Sequence, residues 1–233
     1  RAQDLGFENI SIDLIYGSPT SNLSIWKQNL RKAVDLQVTH ISSYALTIEP
    51  KTALQQWVLS QKIKSPNEAE QNEEFYYMTD FLKENGFDHY EISNFGKPGF
   101  YSKHNSAYWQ YQEYLGLGPS AHSYDGKNKR SWNIANNTKY IKSLHENLLP
   151  KEVEILSTNE RYNEMLMIGL RTIWGVDLMK LESEFSSDIL RQFKKSIQPK
   201  LDDGILEIKN KRLLIPEAHW FMADGIASDL FIL

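Results

Sequence analysis

Residues 10–16 read Ile-Ser-Ile-Asp-Leu-Ile-Tyr and run directly into Gly17-Ser18-Pro19. A nearly continuous apolar run of this length, closed by a turn signal, suits a strand covered on both faces, as in a parallel sheet. Downstream, Ser24 to Val38 places Ile25, Trp26, Leu30, Ala33, Val34 and Val38 at helical spacing, and His40 to Thr47 returns to strand. These three segments make a β-α-β unit. After Glu49-Pro50 comes a stretch that reads as an insertion. Ser65-Pro66-Asn67-Glu68 then supplies a Ser cap, a Pro at the first helical position and a Glu three residues on. The helix so opened carries Phe75, Met78, Phe81 and Leu82 and stops at Gly86, and Asp88 to Phe95 follows as a third strand. Strands alternating with helices of this length imply an α/β fold with a parallel sheet, either doubly wound or a barrel.

The character changes between Gly96 and Asn137, a long loop-like segment dense in Gly, Asn, His, Tyr and Trp. Loops of that length are usually functional. From about Pro150 the pattern is local. Ser157-Thr158 caps a helix with Tyr162, Met165, Leu166 and Leu170; shorter helical patterns cover 177–185 and 187–201; residues 205–208 and 213–216 read as a hairpin. A final helix with Trp220, Ala223, Ala227, Leu230 and Phe231 closes the chain. Helices, hairpin and helix describe a small α+β, winged-helix-like module.

Composition narrows the function classes. The 233 residues are 41% hydrophobic, enough for a sizeable core, and contain no cysteine, which excludes disulfides, thiolate metal sites and a cysteine nucleophile. There is no apolar run long enough to span a membrane and no signal peptide, so a cytoplasmic location is expected. The net charge of -4 argues against nucleic acid, and residues 151–233 hold 11 basic against 14 acidic residues.

Two stretches carry candidate chemistry. On the strand 10–16, alternation sets Ser11, Asp13 and Ile15 on one face, and the Asp13 carboxylate would accept two ribose hydroxyls or an amine. A buried Asp held by backbone amides is the alternative. In Ser102-Lys103-His104-Asn105-Ser106-Ala107-Tyr108-Trp109 an imidazole stands beside an amide and two aromatics, a setting that suits an axial haem ligand with rings over the macrocycle. His40, His89 and His122 read as isolated histidines. The glycines of Tyr114-Leu115-Gly116-Leu117-Gly118 lack a phosphate-loop ending and suit close backbone approach to a ligand or to the next strand. Glu49 and Glu91, at strand ends, are a conceivable glycosidase pair.

Together, several segments resemble the oxygen-independent coproporphyrinogen III oxidase-like family of radical S-adenosylmethionine (SAM) proteins. They are Gly6 to Gly17 with its Gly17-Ser18-Pro19 turn, His40-Ile41-Ser42 to Thr47-Ile48-Glu49-Pro50, Tyr90 to Phe95, His104 to Trp109, the glycine-rich segment ending Ala121-His122-Ser123, and a C-terminal part with Gly169-Leu170-Arg171 and Asp224-Gly225-Ile226-Ala227. The His-Asn-x-x-Tyr-Trp box is similar to the haem-chaperone (HemW-type) branch. Ser18 departs from the family's Leu, and Lys51 from its Gly. The resemblance implies the C-terminal portion of a TIM-like β/α barrel over residues 1–145 and an accessory, winged-helix-like domain over 146–233. It implies SAM contacts at Asp13, Ile15 and Thr47, and a haem box of His104, Asn105, Tyr108 and Trp109. Haem or another tetrapyrrole and haem-accepting proteins are the implied partners, and the alternatives are a true coproporphyrinogen III dehydrogenase or a non-enzymatic docking module.

The family holds a 4Fe-4S cluster on an N-terminal C-x3-C-x2-C loop. Without cysteine, and opening at Arg1 on what reads as a helix end capped by Gly6, the chain is expected to be a truncated form that does not assemble the cluster and is not active as an oxidoreductase.

Overall fold

A computed structural model describes all residues, 1–233. By their contacts they divide into two compact units, Arg1–Ser102 and Lys103–Leu233.

The first unit opens on a 3-10 turn, Gln3–Leu5, ended by Gly6 at φ +86° as its sequence predicts. Strand β1 (Ser11–Tyr16), helix α1 (Leu23–Asp35) and strand β2 (His40–Ala45) form the expected β-α-β unit, with β1 and β2 parallel from Ser11 opposite His40 to Tyr16 opposite Ala45. Asn22 caps α1 by accepting from the Ile25 N–H, and Trp26, Leu30 and Ala33 form its buried stripe. A short helix, α2 (Ala53–Leu59), fills the insertion after Pro50. There Lys51, standing where the family's Gly is expected, is held at φ +66°, in the left-handed region that favours glycine.

Helix α3 (Glu68–Glu84) buries Phe75, Met78 and Leu82. Its cap is Asn67, whose side chain accepts from Glu70 N–H, and not Ser65. A Pro restrains the residue before it to extended backbone but does not oblige the helix to begin there; Asn67 caps it two residues later than Ser65 would and satisfies one of the free N–H groups of the first turn.

Residues 88–95 depart from the single parallel strand expected of them. They form two strands, β3 (Asp88–Glu91) and β4 (Asn94–Gly96), folded on each other antiparallel with a β-bulge between His89 and Glu91. Strand β4 also pairs antiparallel with β2, giving a mixed sheet of order β1-β2-β4-β3. The bonds that reverse the chain are the Ser43 N–H to the Ser93 carbonyl and the Asn94 amide to Glu91 Oε1. Strand β1 is thus at the edge of the sheet. Its even face is packed down to Tyr16, but Ser11, Asp13 and Ile15 are exposed, so the strand is covered on one face, contrary to the sequence expectation.

The second unit begins with α4 (Lys103–Trp109). The supposed long loop contains strands β5 (His122–Tyr124) and β6 (Lys129–Asn133), followed by helix α5 (Asn137–His145) capped by Asn136, and β7 (Lys151–Ile155). The three strands make an antiparallel sheet in the order β5-β6-β7. The next helix, α6 (Thr158–Gly169), has the reciprocal Ser157–Glu160 capping box. There follow β8 (Val176–Asp177), α7 (Leu178–Glu184), α8 (Ser187–Asp202), β9 (Glu207–Lys209) and β10 (Arg212–Leu214), with strand order β8-β10-β9. The expected last helix is shorter: a 3-10 segment, Glu217–Met222, leads into α9 (Ala223–Ser228), and Leu230 and Phe231 lie past its end. No helix is long and apolar enough to cross a membrane.

Candidate functional site

In the first unit, the exposed side of β1 presents Ser11, Asp13 and Ile15, as alternation predicts. Parallel register places His40, Ser42 and Tyr44 beside them on β2. The three positions differ in access: Ile15 is 59% and Tyr44 45% exposed, whereas His40 and Ser42 are buried. His40 joins the strands. Its Nδ1 is 2.7 Å from Ser11 Oγ and its Nε2 is 2.7 Å from Tyr90 Oη. Tyr90 in turn accepts the Ser102 N–H and stacks on Tyr101 at 4.5 Å, whose hydroxyl donates to Asp88. The bulge in β3 lets Tyr90 turn toward His40 while His89 packs oppositely, stacked on Phe95 at 4.0 Å. Burial lowers the pKa of His40, the Asp13 charge opposing, so the imidazole is neutral near neutral pH.

Thr47 does not share this face. It stands exposed beyond the end of β2, its hydroxyl donating to Glu49 at 3.4 Å. Glu49 is exposed past the end of β2 and accepts from Thr47, while Glu91 is buried and accepts from Asn94.

The turn after β1 is fixed by a group that the sequence reading passed over. Gly17, at φ +73°, donates its N–H to Oε2 of buried Glu74 at 2.7 Å, and the Trp26 indole donates to the Glu74 carbonyl. Burial pushes the Glu74 carboxyl above the usual glutamate range, the Gly17 N–H opposing. An acid four residues before Met78, on the apolar stripe of a helix, was the available signal.

In the second unit, α4 divides the candidate haem box between two directions. His104 and Tyr108, four residues apart, meet on an exposed face: Tyr108 Oη lies 3.1 Å from His104 Nε2 and the rings are edge to face at 4.9 Å. Tyr108 continues edge to face onto Tyr114 at 4.7 Å. Trp109, a further 100° around the helix, instead lines a cavity of about 230 Å³ with Trp174, Lys180 and Arg212. Asn105 lies on the Trp109 side of α4 by the same rotation. The imidazole therefore has one tyrosine beside it, and the expected cover of two aromatics on one side does not form.

The glycine-rich segment approaches the next strand. A Cβ on Gly116 would lie 2.1 Å from the His122 carbonyl oxygen, and the Gly116 N–H donates to Ser123 Oγ. The loop displays Leu115 and Leu117, 76% and 82% exposed, which does not suit a phosphate cradle.

A family model described as the HemN C-terminal domain matches residues 156–221. In fold, the chain superposes on the solved coproporphyrinogen III oxidase (HemN) from Escherichia coli, titled a radical SAM enzyme, with a TM-score of 0.77 at 19% identity, over 99% of this chain and 56% of that one. The fold is thus an α/β fold of the HemN kind, and the chain is similar to the coproporphyrinogen III oxidase-like radical SAM family. Within it, the chain is similar to proteins named Heme chaperone HemW: 34% identical over 97% of this chain to that of Lactococcus lactis, and 37% identical over 76% to that of Synechocystis. It spans 59% and 43% of those two relatives.

Proposed function

We propose that this chain is the haem-handling part of a HemW-type haem chaperone, with residues 1–145 forming barrel structure and 146–233 the accessory domain. That division follows the family resemblance and differs from the division by contacts at Ser102. The order α6, β8, α7, α8, β9, β10 supports a winged-helix description of the accessory domain. Its acidic balance suits packing or partner docking better than DNA.

The observation that carries the reading is the exposed His104 imidazole with Tyr108 beside it, in a chain similar to haem chaperones. A neutral imidazole nitrogen is a haem iron ligand, and the adjoining Tyr108 and Tyr114 rings offer apolar surface to a porphyrin edge. Asp13 and Ile15 would hold SAM, the carboxylate accepting hydroxyls and the Ile15 side chain covering an apolar ring; Thr47 would join only from the loop beyond β2. SAM bound beside a reduced cluster supplies radical chemistry. The residues of this chain do not fit a 4Fe-4S cluster, since they include no cysteine, and no catalytic step is assigned to them. Haem-accepting proteins are the proposed recipients, in the cytoplasm.

The test is an equilibrium haem titration followed at the Soret band. Stoichiometric binding at micromolar haem that weakens at least tenfold in His104→Ala supports the reading. Absence of a Soret shift removes it.

A further inference from the structure

Helices α7 and α8 of the second unit differ in length, and a cavity lies between them. Leu190, Phe193, Ile197 and Leu201 recur at helical spacing along one face of α8, with Phe193 and Ile197 buried. From Leu190 to Leu201 that stripe is roughly 16 Å long, whereas α7 reaches only about 10 Å and sets Leu178 and Leu181 against it. Ile208 of β9, 48% exposed, stands at the edge. Together these side chains line a cavity of about 250 Å³. The polar side chains that line it, Glu182, Lys194 and Gln198, are all exposed and belong to its mouth.

We propose that this cavity binds the hydrocarbon chain of a free medium-chain fatty acid, with Lys194 holding the carboxylate. Size sets the chain. A cavity of about 150 Å³ lined by Leu, Ile and Phe takes the six carbons of benzene, so about 250 Å³ takes roughly ten. A docked helix with leucines at its i, i+3, i+4 and i+7 anchors would bring about sixteen, too many for this space. Charge sets the head group. The ion pair of Lys194 with Glu182 is 3.9 Å long, beyond hydrogen-bond length, so the ammonium N–H groups are open to a carboxylate. Gln198, one turn further along α8, donates one amide hydrogen to Asp202 at 2.7 Å and keeps a second. Two donor groups on the α8 side of the mouth outnumber the single Glu182 carboxylate, which selects an acid over an amine.

Titration calorimetry on the full chain compares decanoate, decanol and decylamine below their micelle concentrations. Decanoate is expected to bind one to one and at least fivefold more tightly than decanol. Ile208→Trp, which sets an indole across the mouth at an exposed position, is expected to weaken both at least tenfold without lowering the melting temperature. Lys194→Met keeps the apolar stem and is expected to bring decanoate to the level of decanol, whose own affinity stays unchanged. Decylamine binding more tightly than decanoate, or wild-type affinity for decanoate in Lys194→Met, overturns the head-group assignment. Wild-type affinity in Ile208→Trp overturns the location. No saturable binding of decanoate or decanol overturns the cavity as a fatty-acid site; a wild type that then sediments as a dimer, and that Ile208→Trp makes monomeric, assigns the face to a second copy of the chain instead.

Discussion

Gly17 donates its backbone N–H to the carboxylate of Glu74, 57 residues later in the chain, at 2.7 Å. Both are buried. Removing the acceptor in Glu74→Ala leaves a buried N–H unpaired, a loss of about 1–3 kcal/mol. Glu74→Gln keeps an acceptor without the buried charge. Because burial raises the Glu74 pKa, its ionised form weakens the fold as pH rises above the ordinary glutamate range. Urea denaturation at pH 7 should therefore place Glu74→Gln at or above wild type and Glu74→Ala well below it; a Gln variant as unstable as the Ala variant would contradict this account.

Acid should unfold the chain from a higher pH than carboxylates alone would set. Burial lowers the His89 pKa from 6.5 to about 3, the hydrogen bond to the Ile92 carbonyl opposing, and lowers that of His40 as well. His89 is neutral in the fold and protonated in the unfolded chain over this range, and His40 shifts in the same direction. The unfolded state binds more protons below about 6.5, so stability falls as pH drops from there toward 3. His89→Phe, which keeps the stack on Phe95, should flatten the decline between pH 6.5 and 4 in thermal melts. An unchanged slope would show that His89 is not its source.

Two glycines should respond oppositely to alanine. Gly116→Ala drives a Cβ into the His122 carbonyl, a rigid backbone group, and should cost at least the roughly 1–3 kcal/mol of ordinary overpacking. Gly225 lies within α9 with nothing within 4 Å of its would-be Cβ, and Gly225→Ala should stabilise by about 0.5–1 kcal/mol. Melting temperatures that moved the same way in both variants would refute the packing assignment.

Local signals carried the parts of the fold that were legible in the sequence. The strand at residues 10–16, the stripe of α1, and Ser157 with Glu160 each hold their information within a few residues; all three elements form where they are read, though β1 is covered on one face and not two. The hairpin at 88–96 did not announce itself, because its reversal at Ile92-Ser93 has no Gly or Pro and depends on bonds to Ser43 and within the Glu91–Asn94 pair. Strand β7, Lys-Glu-Val-Glu-Ile, hides its alternation among charges, since Val153 and Ile155 remain exposed. At the site, the i, i+4 meeting of His104 and Tyr108 follows from helix geometry once α4 is known. The Ser11–His40–Tyr90 chain crosses non-adjacent strands and needed the register that only the folded sheet supplies.

Tyr108 should restrain haem binding rather than promote it through its hydroxyl. The Tyr108 hydroxyl lies within hydrogen-bond distance of His104 Nε2, so an iron binding at that nitrogen must displace it. Tyr108→Phe removes a hydrogen bond worth about 1 kcal/mol and keeps the ring, so haem affinity should rise a few-fold. Trp109→Phe should leave it nearly unchanged, because Trp109 lines the cavity with Trp174. Weaker binding in Tyr108→Phe would reverse the assigned direction.

The most direct test of the haem-handling claim is the axial ligation of the ferric haem complex, read by magnetic circular dichroism. The account predicts an imidazole-ligated spectrum in the wild type, its loss in His104→Ala and its retention in Trp109→Phe. An imidazole signature that persists in His104→Ala, or a haem complex without one in the wild type, would contradict it.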